Sequence, residues 1–253
     1  FKMPKLIQIN SHDRLSGTPS DFTVNLGVDH SISEVRGVLV KSIQLVNSFY
    51  NIDTYNNRWY YKQGAVENFI DIPRGQYNVI ALLDAIVAEF LTNGITATAV
   101  DDPLTHVMEF TFSPAIFVYK NRDPGLTPAK NPIHRVIGLR TDSVGPLLGK
   151  KMDASHDLSG VKTVYVMSNT LAGGSCVSSR DGGRKLALLD TVPVIVAYGG
   201  VIHTFDTHGL ADSHAYDRIL SNNLSSVDIQ LRDSENNLLN TNGLDVAIVL
   251  KIL

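Results

Sequence analysis

The densest group of chemistry-bearing side chains is the stretch HTFDTHGLADSH, where His203, Asp206, His208, Asp212 and His214 supply five potential metal ligands. Imidazoles combined with carboxylates suit zinc, iron or manganese, and two histidines with one carboxylate on a β scaffold form the set used for iron-dependent oxygen chemistry. Such a site needs both imidazoles on one face of a strand, as an H-x-H pair would place them. Here the residue two after His203 is Phe205, and polar turn formers surround the others. The stretch therefore reads as an exposed loop joining strands, and His203, Asp206 and His208 are the residues a metal reading would have to use. No metal or cofactor is expected.

Other chemistry leaves weaker traces. Neither G-x-G-x-x-G nor a P-loop is present, and Gly173-Gly174 and Gly182-Gly183 are followed by no Lys-Ser or Lys-Thr. There is no G-x-S-x-G turn for a nucleophilic serine, and the single cysteine, Cys176, sits in GGSCVSS, which reads as a buried or incidental thiol. The aromatic stretch NSFYNIDTYNNRWYY, with Trp59 at its end, has the flat apolar faces and polar rims of a sugar platform. Core or subunit contact is the reading preferred for it. A non-enzyme is expected.

The elements that would position these residues are mostly short strands bounded by Gly, Pro, Asn, Asp and Ser, the pattern of an all-β sandwich. Strands are expected at Leu6 to Ile9, at Phe22 to Leu26 and at Trp59 to Tyr61, with further ones in NFIDIP, TATAV, HVMEFTF, AIFVYK and KTVYVMSN. In VRGVLVKSIQLVNSF neither parity is wholly apolar, which predicts a long strand with a bulge or bend. SHDRLSGTPS reads as a plain loop. Val227, Ile229 and Leu231, and then Val246, Ile248, Leu250 and Ile252, alternate with other residues, and the two strands are expected to pair as an antiparallel hairpin. One amphipathic helix is predicted in NVIALLDAIVAEFLTNG, where Val79, Leu82, Leu83, Ile86, Val87 and Phe90 recur at three and four residue spacings between Asn78 and Gly94. It reads as a cover over one end or edge of the sandwich.

The chain carries 22 Lys and Arg against 25 Asp and Glu, for a net charge of −3, so no nucleic-acid partner is expected. No apolar run approaches the ~20 residues of a membrane helix, and FKMPKLIQIN lacks a signal-peptide pattern, so neither membrane insertion nor signal-directed secretion is expected. Phe1 points to a longer or processed parent chain. A single domain, 1–253, is expected, with a loop-rich insertion or excursion at 121–185 where Pro, Gly, Asp and Ser accumulate.

Four stretches together resemble the penton, or minor capsid, proteins of virophages and Polinton-type viruses. They are IQINSHDRLSGTPSDFTVNLG at 7–27, SIQLVNSFYNI at 42–52, ENFIDIPRGQYNVIALLDAI at 67–86 and VDIQLRDSENNLLNTNGLDVAIVLKI at 227–252. The resemblance implies an eight-stranded antiparallel jelly roll. It also implies a homopentamer at the vertex of an icosahedral virion, in contact with the major capsid protein and assembled in the host cell cytoplasm. It carries over no catalytic residue. The alternatives are a carbohydrate- or receptor-binding jelly-roll module, a role a vertex protein could add through a host glycan or receptor, and less readily a cupin-like metalloenzyme.

Overall fold

The computed structural model describes residues 5–26, 32–33, 37–120, 132–171, 176–178, 184–205 and 223–252. The chain divides into two compact units, Phe1–Phe49 with Val161–Leu253, and Tyr50–Gly160. The sequence suggested one domain with an excursion at 121–185, whereas the chain leaves the first unit after Phe49 and rejoins it at Val161. Residues 50–120 alternate and bury like any other strand region, so their composition alone does not mark them as having a core of their own.

The first unit holds β1 (Lys5–Asn10), β2 (Ser16–Thr18), β3 (Asp21–Asn25), β4 (Ile32–Ser33) and β5 (Val38–Val46). The second holds β6 (Arg58–Gln63), β7 (Val66–Asp71), α1 (Val79–Thr92), β8 (Thr96–Asp101), β9 (Met108–Tyr119), α2 (His134–Ile137) and β10 (Leu147–Lys151). The chain then returns to the first unit with β11 (Thr163–Met167), β12 (Cys176–Ser178), β13 (Arg184–Leu186), β14 (Leu188–Pro193), β15 (Val201–Phe205), β16 (Asn223–Leu224), β17 (Ser226–Arg232) and β18 (Ala247–Ile252).

Two antiparallel sheets make the first unit, ordered β1-β18-β5-β15 and β14-β11-β17-β3-β2. Counting β1, β3, β5, β11, β14, β15, β17 and β18 as strands one to eight, the sheets read 1-8-3-6 and 2-7-4-5, with β2 an added edge. That strand order is the eight-stranded jelly roll. Its core is drawn from the inward residues of both sheets, including Ile9, Ile43 and Ile248 from one and Phe22, Val166 and Ile229 from the other.

The alternating burial of β17 and β18 is as the sequence suggests, but the expected hairpin between them does not form. β17 pairs with β3 and β11, β18 with β1 and β5, and the two lie in different sheets. Alternation fixes which face of a strand is buried and is silent on which sheet it joins, because both sheets bury toward the same core. The bulge predicted in β5 is present. Val249 pairs with Ser42 and Leu250 with Val40, so Lys41 is the extra residue, and both Val38 with Val40 and Ile43 with Leu45 turn inward despite opposite parity.

SHDRLSGTPS is more ordered than a plain loop, since it contains a single 3-10 turn at Ser11–Asp13 and the strand β2. Gly17 sits at φ +96° with Asp21 O only 2.0 Å from where a Cβ would stand, so no other residue fits there without moving backbone.

In the second unit the order is β10-β9-β6-β7, with β8 also on β9. β9 changes partner along its length. Residues 108–113 pair with β8 and 117–119 with β6, and Pro114, which has no N–H to offer a ladder, falls at the handover. α1 starts as predicted, with the Asn78 side chain accepting from Ala81 N at 2.8 Å, and it buries Leu82, Leu83, Ile86 and Phe90. The helix packs into this unit's own core. Among the described residues no helix is long and apolar enough to cross a membrane.

A carboxylate closes the loop region of this unit. Asp153 accepts from Arg140 N at 2.7 Å, Thr141 N at 2.8 Å, the Thr141 hydroxyl at 3.0 Å and Lys150 Nζ at 2.8 Å. Burial pushes its pKa up, but Lys150, the two backbone N–H groups and the Thr141 hydroxyl outweigh that and bring it down to about 2. A carboxylate depressed on folding gives stability that is complete above its ordinary value of 3.8 and lost as pH falls through about 2. The urea midpoint of the wild-type chain is therefore expected to fall more steeply between these two pH values than that of Asp153→Asn. Parallel slopes in the two proteins would contradict this.

Candidate metal centre

In the sequence, a metal reading has to use His203, Asp206 and His208. His203 lies on edge strand β15, exposed, with Ile202 beside it turned into the core, so the imidazole sits on the outer face and its ring rests 4.0 Å from that of Phe205. Asp206 and His208, with Asp212 and His214, lie outside the described residues. The other sequence candidate, the aromatic stretch, ends in core: Trp59, Tyr60 and Tyr61 are each about 1% exposed, which removes these three as a sugar platform, while Tyr55 is exposed. Trp59 is enclosed edge-on by Phe90 at 5.3 Å and Phe110 at 5.0 Å.

The structure gathers a different set, Asp101, His106 and His156, whose ligand atoms all lie within 4.8 Å of one another. Asp101 ends β8 and His106 lies in the turn that leads into β9, where Asp101 pairs with Met108. The turn is shaped by Asp102, whose carboxylate accepts from Leu104 N at 2.9 Å and the Thr105 hydroxyl at 2.7 Å. These bonds, the Thr105 hydroxyl first, hold the Asp102 carboxyl below its ordinary pKa. His106 N donates to Asp102 O at 2.7 Å, and His106 takes φ +53°, the left-handed conformation that lets the chain re-enter the ladder.

His156 arrives from fifty residues away. The segment after β10 runs beside the turn and is tied to it by Met152 N to Met108 O at 2.8 Å, Ser155 Oγ to Thr105 O at 2.9 Å and His156 N to His106 O at 2.9 Å. The last bond sets the two histidines side by side, ring centroids 5.7 Å apart and edge to face. Nothing in the sequence marks this group, because its members are dispersed and are brought together by the β8–β9 ladder and by these hydrogen bonds.

The separations have chemical content. His156 Nε2 stands 3.4 Å from Asp101 Oδ1, and His106 Nδ1 stands 3.9 Å from Asp101 Oδ2. A direct charge-assisted hydrogen bond would close to about 2.7–2.9 Å. Instead Asp101 Oδ1 and both ring nitrogens of His156 are screened from solvent with no hydrogen-bond partner. The Asp101 and His156 side chains are 15% and 14% exposed and His106 is 64% exposed, so the group opens to water on the His106 side.

A half-buried carboxylate in the first unit is saturated. Asp228 accepts from the Ser168 and Thr170 hydroxyls, from Asn169 N and Nδ2 and from Thr170 N, at 2.6–3.0 Å. Its lone pairs are committed to holding the turn after β11 against β17.

No protein-family model matches the chain, and no curated protein matches it. Among solved structures it is similar to the selenomethionine-labelled mavirus penton protein, with a TM-score of 0.47 and 11% sequence identity over 98% of this chain and 99% of that one. The jelly-roll assignment rests on the strand order within the chain itself.

Proposed function

We propose that this chain is a structural virion protein that forms the pentameric vertex of an icosahedral capsid. It acts through contacts with its own copies and with the surrounding major capsid protein, and performs no catalysis. The observation that carries the reading is the strand order 1-8-3-6 over 2-7-4-5, the architecture that the four resembling stretches imply. Three of those stretches fall on jelly-roll strands: 7–27 spans β1 to β3, 42–52 takes in the second half of β5, and 227–252 spans β17 and β18. The fourth, 67–86, runs from β7 into α1. Jelly rolls also serve lectins and cupins, so the fold narrows the reading and the resemblance selects within it.

A closed ring needs unlike edges that meet. The 1-8-3-6 sheet ends on β1 at one side and β15 at the other, and each edge carries exposed apolar side chains, Leu6 at 67% on β1 and Phe205 at 63% on β15. Five copies placing β1 of one against β15 of the next would cover both. The reading locates the protein in the virion, at the vertex, after assembly in the host cell cytoplasm.

Electron-microscope class averages of the concentrated protein test this. Five-fold rings are expected, and Leu6→Asp or Phe205→Asp is expected to abolish them while leaving the circular-dichroism spectrum and melting temperature unchanged. Rings of another order would overturn the vertex reading. Five-fold rings that survive both substitutions would overturn this edge pairing.

A further inference from the structure

We propose that Asp101, His106 and His156 form a binding site for a divalent transition ion of the zinc class, which clamps the β8–β9 turn to the segment at 152–157. Tetrahedral zinc with bonds of about 2.0–2.1 Å has ligand-to-ligand edges of about 3.4 Å. The observed 3.4 Å between His156 Nε2 and Asp101 Oδ1 matches that edge, while His106 Nδ1 stands 3.9 Å from the other carboxylate oxygen, Oδ2, and the three residues each offer a ligand atom within 4.8 Å of the others. Both are too long for a direct ion-pair hydrogen bond, so the distances fit an ion between the groups better than contact of one with another.

The donor set points the same way. Two imidazoles and a carboxylate suit zinc and its first-row neighbours, whereas magnesium and calcium prefer all-oxygen cages. Three protein ligands leave a fourth position, which a water fills from the open side of His106. The ion also answers a cost visible in the fold, since Asp101 Oδ1 and His156 Nε2 are screened from water without a partner and coordination would satisfy both. The site lies on the turn between two strands and on a loop already bonded to that turn, so binding would stiffen a region held by three hydrogen bonds. It is a structural clamp and involves no reaction.

The test uses the full chain, purified without a histidine tag, stripped with chelator and titrated with zinc chloride by calorimetry, with melting followed in parallel. One equivalent is expected to bind with micromolar or tighter affinity and to raise the melting temperature. His106→Ala removes an exposed imidazole, and alanine at φ +53° costs the metal-free chain some stability, so the variant is compared by its zinc affinity, which should fall at least tenfold, and by its zinc-induced rise in melting temperature, which should shrink. Asp101→Asn, which keeps shape and loses charge, should weaken zinc by a similar factor. Cobalt should give the visible absorption of a four-coordinate site in the wild type and lose it in both variants. Absence of saturable one-to-one binding would overturn the proposal. So would zinc binding that is untouched by His106→Ala and Asp101→Asn and disappears instead in His203→Ala with His208→Ala.

Discussion

Phe90→Ala is expected to destabilise the unit formed by residues 50–160 by about 4 kcal/mol, from the usual range of about 3–5 kcal/mol for deleting a buried phenylalanine. Phe90 is fully buried in the last turn of α1 and meets three aromatic rings edge-on, Trp59 at 5.3 Å, Tyr61 at 5.4 Å and Phe112 at 5.3 Å. Each such pair adds roughly 0.5–1.5 kcal/mol beyond burial. Against a typical domain stability of about 5–15 kcal/mol the loss is large enough to move the unit to the edge of folding. Trp59 is the only tryptophan in the chain and sits against Phe90, so its fluorescence reports this unit alone. Urea unfolding followed at Trp59 should show the midpoint fall sharply in Phe90→Ala and by much less in Phe90→Leu. A change below about 1 kcal/mol in the alanine variant would mean that α1 is not seated by this ring.

Asp228→Ala is expected to cost the jelly roll about 3 kcal/mol, because five donors lose one charged acceptor and some are buried with no replacement. Ser168 is wholly buried, and Asp228 is the link between β17 and the turn that follows β11. Burial pushes the Asp228 carboxyl up, but the Thr170 hydroxyl, the backbone N–H groups of Asn169 and Thr170 and the Ser168 hydroxyl hold it below its ordinary value. Its contribution is therefore full above the ordinary carboxylate range and lost as pH falls below it. Unfolding followed by circular dichroism should give a lower midpoint for Asp228→Ala at neutral pH, with the gap to wild type shrinking in acid. Equal midpoints at pH 7 would contradict the assigned role.

The sequence was informative wherever one face of an element meets a core. The three and four residue spacing of α1 with its Asn78 cap, the alternation of Val227, Ile229 and Leu231, and the parity break that became the Lys41 bulge all survive in the structure. It was silent wherever long-range pairing decides. β17 and β18 present the same pattern whether they pair or face each other across the core. The inserted unit went unseen because its strands bury by the same rule as their neighbours. His203, Asp206 and His208 share nearness in sequence, the one clue a linear chain offers to a metal set. Asp101, His106 and His156 show that nearness in the fold is made by a turn and by backbone bonds between distant segments. Trp59 and its neighbouring tyrosines had the composition of a surface platform and the burial of a core, a distinction set by what packs above them.

In the proposed vertex role the jelly roll works by closing on four more copies of itself. Light scattering coupled to size exclusion, run over a series of protein concentrations, tests it most directly. A species of five times 27.7 kDa is expected, gaining population with concentration and lost in Phe205→Asp. A protein that remains at 27.7 kDa throughout the series, or that settles at a dimer or trimer, would contradict it.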